Sequence, residues 1–426
     1  MISWLSRPDL QKGDIGSRQG RRQLIRQLRK EAAGAGISSR ILRRVSRAFQ
    51  TAQAGSPAHL RPGVNLIGYA DGVLGMGEHI RMAEKAMRAS DIPAGVLNVT
   101  LGLGPRRQAA DRLLPRLKRP DHRCNLFHVN ADQMPRAYWH FGPESFAGHY
   151  NIGYWAWELS RWPDVWLPAL GTVDEIWAPS RFIRDAIAPR TSKPVEWMPL
   201  CVELPPVQDA SRSDFGISGD EYVFVFAFDC HSYIDRKNPR GLVRAFRSAF
   251  ANETGVRLII KAMNTDVCLA EWQEILAETD SDERITLIDG TWPRDRLLAL
   301  VQCSDAYVSL HRSEGFGRGP AEAMLLGKPV IVTDYSGTTD FCRPNNALLV
   351  DCSLVQVNPQ SYVAAAGQVW GEPSIEQAAR HMRSLFEDRE LGPRIGAMGQ
   401  QTISQEFSAV AVGGRYRARL DEAGMI

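Results

Sequence analysis

Two glutamates, Glu314 and Glu322, bracket a glycine-rich bend, Gly315-Phe316-Gly317-Arg318-Gly319-Pro320. Glycines permit a tight backbone path, and Pro320 suits the first turn of a helix. Backbone N–H groups at such a helix start attract anions, phosphate above all. A carboxylate repels phosphate but accepts hydrogen bonds from sugar hydroxyls. Phosphate-binding amides between two carboxylates therefore fit a nucleotide-sugar, with the diphosphate in the middle and a hydroxyl-bearing ring at each end. A glutamate in a first helical turn is favoured by the helix dipole alone, so the pair with its loop carries the reading, and neither glutamate does so singly.

Two other stretches bear on the same chemistry. In "FAFDCHSYIDRKNPRGLVRAF", Arg236 and Lys237 stand between an apolar run and a helix expected from Pro239. Adjacent cations at a strand-to-helix junction suit a diphosphate leaving group, whose growing charge they stabilise. In "NLIGYADGVLGMGEHIR", Gly68, Gly72, Gly75 and Gly77 follow one apolar run and precede a helix. This departs from G-x-G-x-x-G, and no acidic residue closes a dinucleotide fingerprint, since Asp91 falls in a helix-to-strand turn. Close backbone approach to a ligand is the reading. Asp280-Ser281-Asp282 forms a D-x-D, but within the acidic stretch "ETDSDER" it reads as a solvated turn. The nine histidines form no H-E-x-x-H, and no metal is expected.

The elements that must position these residues alternate in period. Strands are expected at 64–69, 96–99, 125–129, 150–155 and 175–179, with helices at about 77–90 and after Ser180, a good N-cap. The stretch 201–219, "CVELPPVQDASRSDFGISG", breaks the rhythm and reads as a linker. A second series follows, with strands at 222–228, 257–262, 285–288, 306–310 and 329–333 and helices at 239–251 and from about Pro320 to Leu326, stopped by Gly327. That start places Glu322 in the helix's first turn. A polar helix is expected over 405–424. Alternation of this kind means βαβ units and a parallel sheet. The organisation is an arm (1–60), a first Rossmann-like domain (61–200), the linker (201–219), a second Rossmann-like domain (220–404) and a C-terminal helix (405–426). Ligands of such folds bind beyond the carboxyl ends of the strands or between domains.

Bulk properties agree with that division. A chain of 426 residues exceeds one compact core. Hydrophobic content of 44% and charged content of 23% exclude disordered and collagen-like classes. Seven cysteines without C-x-x-C are neither a disulfide framework nor a zinc pattern, and scattered thiols in a reducing cytosol are expected. The chain opens without the apolar core of a signal peptide, and no run reaches the ~18 apolar residues of a membrane span, so a cytoplasmic location is expected. Residues 1–60 hold twelve Lys/Arg against three Asp/Glu. Within them Ile37, Ile41, Val45 and Phe49 recur every four residues among Arg40, Arg43, Arg44 and Arg47. That amphipathic basic helix either docks on the body or makes peripheral contact with an anionic membrane. A nucleic-acid partner is not expected.

Together these features resemble the retaining glycosyltransferases of the GT-B fold, family 4. The resemblance rests on the E-x7-E pair in "SEGFGRGPAEAMLLGKPVI", on "RKNP" at 236–239 and on "GVLGMGE" at 72–78, and covers roughly residues 63–424. "NIGYWAWELSRWPDVW" and "VDEIWAPSRFIRDAI" also look like first-domain segments of bacterial members that build surface polysaccharides. The resemblance implies an α/β fold of two Rossmann-like domains facing across a cleft, with the C-terminal helix crossing back to the first. It implies transfer of a sugar from a nucleoside diphosphate to an acceptor hydroxyl, on a glycan or lipid-linked acceptor, with retention and without a metal or other cofactor. By position, Glu314 would contact the donor sugar and Glu322 the ribose. The amides of Phe316, Gly317 and Arg318 would hold the diphosphate, Arg236 and Lys237 would stabilise the leaving group, and Gly75 and Gly77 would approach the donor from the opposite domain. The family spaces its arginine and lysine further apart than this pair. Its first-domain histidine has no assigned counterpart here. Glu158, in "WAWE", takes a comparable strand-end position, and Asn130 and Asp132 are candidates for the acceptor cleft. Trp292 either stacks on the base or belongs to the core. The alternatives are a nucleotide-sugar epimerase on the same architecture and a non-catalytic glycan-assembly subunit.

Overall fold

The computed structural model describes residues 60–72, 75–99 and 113–426. The expected basic arm, apart from Leu60, lies outside the described residues. The first sheet comprises β1 (Arg61–Gly68), β2 (Ala94–Asn98), β3 (His122–His128), β4 (Tyr150–Tyr154), β5 (Glu175–Ala178) and β6 (Val195–Trp197). Its order is β2-β1-β3-β4-β5-β6, and every pairing is parallel. Helices α1 (Gly75–Ala89), α2 (Met134–Phe141) and α3 (Arg181–Ile187) flank it. Ser180 starts α3 as read from the sequence, accepting the Ile183 amide at 3.3 Å. Three buried asparagines at matching positions fix the register. Asn65 donates to Asn125 and Asn125 to Asn151, each at 2.9 Å, because a polar side chain inside a sheet must find a partner. A one-residue slip would orphan all three.

The second sheet comprises β7 (Tyr222–Asp229), β8 (Val256–Met263), β9 (Ile285–Ile288), β10 (Ala306–Ser309), β11 (Val330–Thr333) and β12 (Leu348–Val350). It is parallel throughout, in the order β12-β11-β10-β7-β8-β9. Its helices are α4 (Ile234–Lys237), α5 (Pro239–Ala249), α6 (Leu269–Thr279), α7 (Arg294–Cys303) and α8 (Arg318–Leu325). Asn238 caps α5 by accepting the Gly241 amide at 3.1 Å. The strand order reverses between β7 and β10. In an open parallel sheet that reversal makes a crevice at the strands' carboxyl ends, where ligands bind. The chain leaving β7 carries Arg236 and Lys237, and the chain leaving β10 carries Glu314.

One expectation needs correction. Helix α8 begins at Arg318, capped by Gly317 at φ +93°, so Glu322 lies in the second turn and not the first. The sequence reading started the helix at Pro320, but glycine reaches the left-handed conformation that opens it earlier. The helix expected over 405–424 is present as α11 (Ala409–Glu422), separated by a short break from a preceding helix, α10 (Leu391–Glu406). The break falls where Phe407 is buried against Phe316 and Phe341 and Ser408 caps α11 through the Ala411 amide.

Helix α11 does cross back to the first sheet's domain. A Cβ on Gly413 would lie 2.2 Å from the Ala86 carbonyl of α1, so glycine is what lets the two helices meet. Tyr416 and Tyr154 join hydroxyls at 2.9 Å. Arg419 grips the fully buried Glu175 at 2.9 and 2.7 Å. Between β12 and α11 lie an antiparallel hairpin, β13 (Cys352–Gln356) and β14 (Val369–Pro373), and helix α9 (Ile375–Glu387). The hairpin's inner residues Val357, Tyr362 and Trp370 join a hydrophobic core shared with Trp155, Trp157 and Trp162 of the first domain. All seven cysteines are free thiols, five of them buried. Among the described residues no helix is long and apolar enough to cross a membrane.

Candidate active site

The site is assembled where the reversal in the second sheet faces the first domain. Glu314 is pinned through its backbone. Its N–H donates to Ser336 Oγ at 2.7 Å, and its carbonyl accepts the Gly337 amide at 2.9 Å. Gly337 must be glycine, because a Cβ there would stand 2.3 Å from the Gly315 carbonyl. Behind lies His311, bonded to Ser309 Oγ at 3.0 Å and Thr338 Oγ1 at 3.4 Å. Burial pushes His311 down to about 4, so it stands neutral.

The Glu314 carboxylate meets both expected cations. Lys237 Nζ forms a salt bridge to Oε1, and Arg236 Nη1 lies 3.1 Å from Oε2. Arg236 is itself buried, donating to the Ser313 carbonyl at 2.7 Å and the Ser232 carbonyl at 3.1 Å. Burial alone would raise the Glu314 pKa. Lys237 and then Arg236 outweigh it and hold the carboxyl well below the usual range. Burial pushes Lys237 down, against the pull of Glu314, but its ammonium still lies on the carboxylate, and the ion pair is the state the geometry supports.

Glu322 occupies the other end of the glycine bend. It is held by Arg294 and, at 2.5 Å, by Arg318. Arg318 also reaches Glu78 of α1 at 3.4 Å, and Arg294 reaches it at 4.0 Å. These contacts bridge the two domains. Glu78 takes a further contact at 2.6 Å from Arg81. Burial would raise its pKa, yet Arg318, Arg81 and Arg294 lower it to about 2. Neither Glu78 nor Arg294 was singled out from sequence. Glu78 follows the glycine loop at a helix start, a position that can flag an acid facing the cleft.

Of the other expected residues, Phe316 is buried among aromatic rings, which leaves only its backbone for a ligand. Gly317 starts α8, and the first amides of a helix have no partner within it. Gly77 has a local reason to be glycine, since a Cβ there would lie 2.1 Å from the Gly72 carbonyl, whereas Gly75 has open space around it. Glu158 joins the Arg236–Glu314 side of the cleft. Its carboxylate accepts from Tyr362 of the hairpin, and its carbonyl accepts from Ser313. Asn130, just past β3, accepts the Ala156 amide at 3.1 Å and so ties its loop to the one bearing Glu158. Asp132 follows in the same loop, near Tyr233. Trp292 follows β9 half-buried against Phe215, with the Arg296 guanidinium 4.2 Å from its ring centre. Asp282 of the D-x-D is engaged by Arg284 and Arg247.

Comparison with known proteins agrees with this layout. Residues 207–402 match the family described as glycosyl transferases group 1. No curated protein matches in sequence. Among solved structures, Anabaena HepE in complex with UDP and glucose aligns over 84% of this chain and 100% of its own, with a TM-score of 0.60 at 13% identity. Sucrose-phosphate synthase from Thermosynechococcus elongatus gives 0.59 at 15% over 85% and 100%. A glycosyltransferase from Rickettsia africae gives 0.59 at 11% over 85% and 98%. At such identities the likeness establishes the shared GT-B fold.

Proposed function

We propose that this chain, whose residues 207–402 match the glycosyl transferases group 1 family, moves a sugar from a nucleoside diphosphate to an acceptor hydroxyl with retention at the anomeric carbon. The observation that carries the reading is Glu314, held ionised between Lys237 and Arg236 at the strand-order reversal. One anionic hydroxyl acceptor and two cations thus converge beside a helix N-terminus suited to phosphate.

In this reading the amides of Phe316, Gly317 and Arg318 hold the diphosphate and Glu322 the ribose. Gly75 and Gly77 line the donor from the first domain. Glu314 accepts hydrogen bonds from the sugar's hydroxyls. Lys237 and Arg236 stand ready for the negative charge that grows on the diphosphate as the glycosidic bond breaks. Glu314 is too acidic in this setting to take the acceptor's proton. The proton then passes to the departing phosphate oxygen on the same face, which gives retention. The charge work rests on the two cations, without a metal. The Anabaena relative's complex with UDP and glucose makes uridine nucleotides the first donors to try. The acceptor is a glycan or a lipid-linked sugar of polysaccharide synthesis, with the basic arm making peripheral membrane contact.

The test is proton NMR of the reaction with an α-configured nucleotide-sugar. An α-linked product that forms only when an acceptor is present supports the proposal. A β-linked product contradicts retention. Sugar isomerisation without acceptor would favour an epimerase.

A further inference from the structure

Tyr233 has a backbone that a bulky side chain rarely adopts, φ 63° and ψ 111°. Such outliers persist only where the surroundings over-determine them, and they cluster at functional sites. Here the constraint is visible. The Tyr233 carbonyl accepts the amides of Arg236 at 3.1 Å and Lys237 at 3.2 Å, while its own N–H donates to the Cys230 carbonyl at 3.1 Å. The residue that shapes the turn presenting both cations is therefore the one whose ring is thrown out toward the first domain.

Tyr233 as a residue is 39% exposed, whereas Tyr362, Trp157 and Trp370 nearby are buried. One side of the Tyr233 ring packs against Tyr362, with ring centres 4.6 Å apart and the ring planes tilted by 55°. Tyr362 is itself fixed by its bond to Glu158 and by packing against Trp157 at 5.8 Å. The charges near the Tyr233 hydroxyl are Glu158 and Asp132 of the first domain and Arg236 of the second. A part-exposed tyrosine, backed by a second immobilised ring and within electrostatic range of the Glu158 and Asp132 carboxylates, is an arrangement suited to a pyranose. The ring's C–H face lies on the aromatic, and its hydroxyls donate to the acids. An aliphatic alcohol or a peptide hydroxyl has no flat apolar face to use it.

We propose that Tyr233, backed by Tyr362, is the platform on which a sugar ring of the acceptor stacks, so that the acceptor hydroxyl belongs to a saccharide. The proposal rests on the glycosyltransferase reading above, including its sugar acceptor, and adds to it the residue that positions that acceptor. Tyr233 is a positioning residue, and the shared turn keeps the platform at a set place relative to Arg236 and Lys237.

The experiment is saturation-transfer NMR on the full chain with methyl pyranosides of glucose, galactose, mannose and N-acetylglucosamine, and glycerol as a control. UDP or GDP is present, whichever raises the melting temperature. Tyr233→Asn removes the ring while tolerating the positive φ, and Tyr233→Phe keeps the ring. The proposal expects transfer to at least one pyranoside and none to glycerol. Affinity should fall about tenfold or more in Tyr233→Asn, as for loss of a central aromatic anchor, stay within about twofold in Tyr233→Phe, and leave nucleotide affinity unchanged. Equal pyranoside binding by wild type and Tyr233→Asn, or no pyranoside binding while the nucleotide binds, overturns it. Failure of every nucleotide to bind overturns the transferase reading itself, and this proposal with it.

Discussion

Replacing Lys237 by methionine separates the role of its charge from its packing. Methionine keeps most of the buried stem and deletes the ammonium that lies on Glu314. Arg236 remains, 3.1 Å from the other carboxylate oxygen. At an effective dielectric constant of about 20, charges about 3 Å apart attract by about 5 kcal/mol, so Arg236 alone keeps Glu314 ionised and the variant folds. Breaking a buried pair outright costs about 3–5 kcal/mol, and here one partner survives, so a loss of about 1–2 kcal/mol is expected. The catalytic effect should be larger. Removing one preorganised group that meets charge developing in the transition state typically lowers kcat by about 10²–10³. Donor affinity should change much less. The pKa of Glu314 loses its stronger cationic neighbour and rises toward the ordinary carboxylate range, so the acid limb of the rate profile moves to higher pH. Steady-state kinetics across pH 4–9, with a melting temperature to certify folding, reads all three effects. A folded Lys237→Met enzyme with wild-type kcat, or one impaired only in donor KM, would refute the assignment of this lysine to the leaving group.

Two further predictions concern the frame around the site. Arg419→Ala leaves Glu175 buried with only the Tyr150 hydroxyl and the Trp177 N–H as donors, so a loss of about 3 kcal/mol is expected in denaturant unfolding. A loss below about 1 kcal/mol would mean that the return of α11 to the first domain does not depend on that pair. Glu84 in α1 is pushed up by burial to about 7 from 4.5. A carboxyl with a raised folded pKa destabilises once it must ionise, so the penalty is absent below about pH 4.5, grows through pH 7 and is complete above it. Glu84→Gln should therefore stabilise by about 2–3 kcal/mol at pH 8 and by little at pH 4.5. Equal shifts at both pH values would show that Glu84 is not kept neutral by burial.

The βαβ rhythm was legible because parallel strands covered on both faces read as apolar runs. The segment from Glu314 to Glu322 stood out for the same reason, being a polar break between two such runs. The hairpin β13–β14 was missed because its first strand is exposed and mixed in character, with Leu354 open to solvent. Its purpose lies in contacts more than 200 residues away, such as Gln368 with Arg161 and Tyr362 with Glu158. Helix α9 was readable and overlooked. Ser374 caps it, and Ala378, Ala379, Met382 and Leu385 form its buried stripe. The start of α8 is not marked by Pro320, which is the third residue of the helix, because Gly317 in the left-handed conformation opens it earlier. The link from Arg318 to Glu78 was not legible at all, since it joins elements of two domains whose approach no local pattern encodes.

The central claim is that the glycine bend and its two glutamates form a nucleotide-sugar donor site. Isothermal titration of uridine and guanosine diphosphates into wild type and Glu322→Ala tests it most directly. The account predicts that wild type binds one of these nucleotides and that Glu322→Ala weakens it about tenfold or more, as expected when a hydrogen-bonded charged partner is lost. Absence of binding to either nucleotide, or equal affinity in a folded Glu322→Ala, would contradict it.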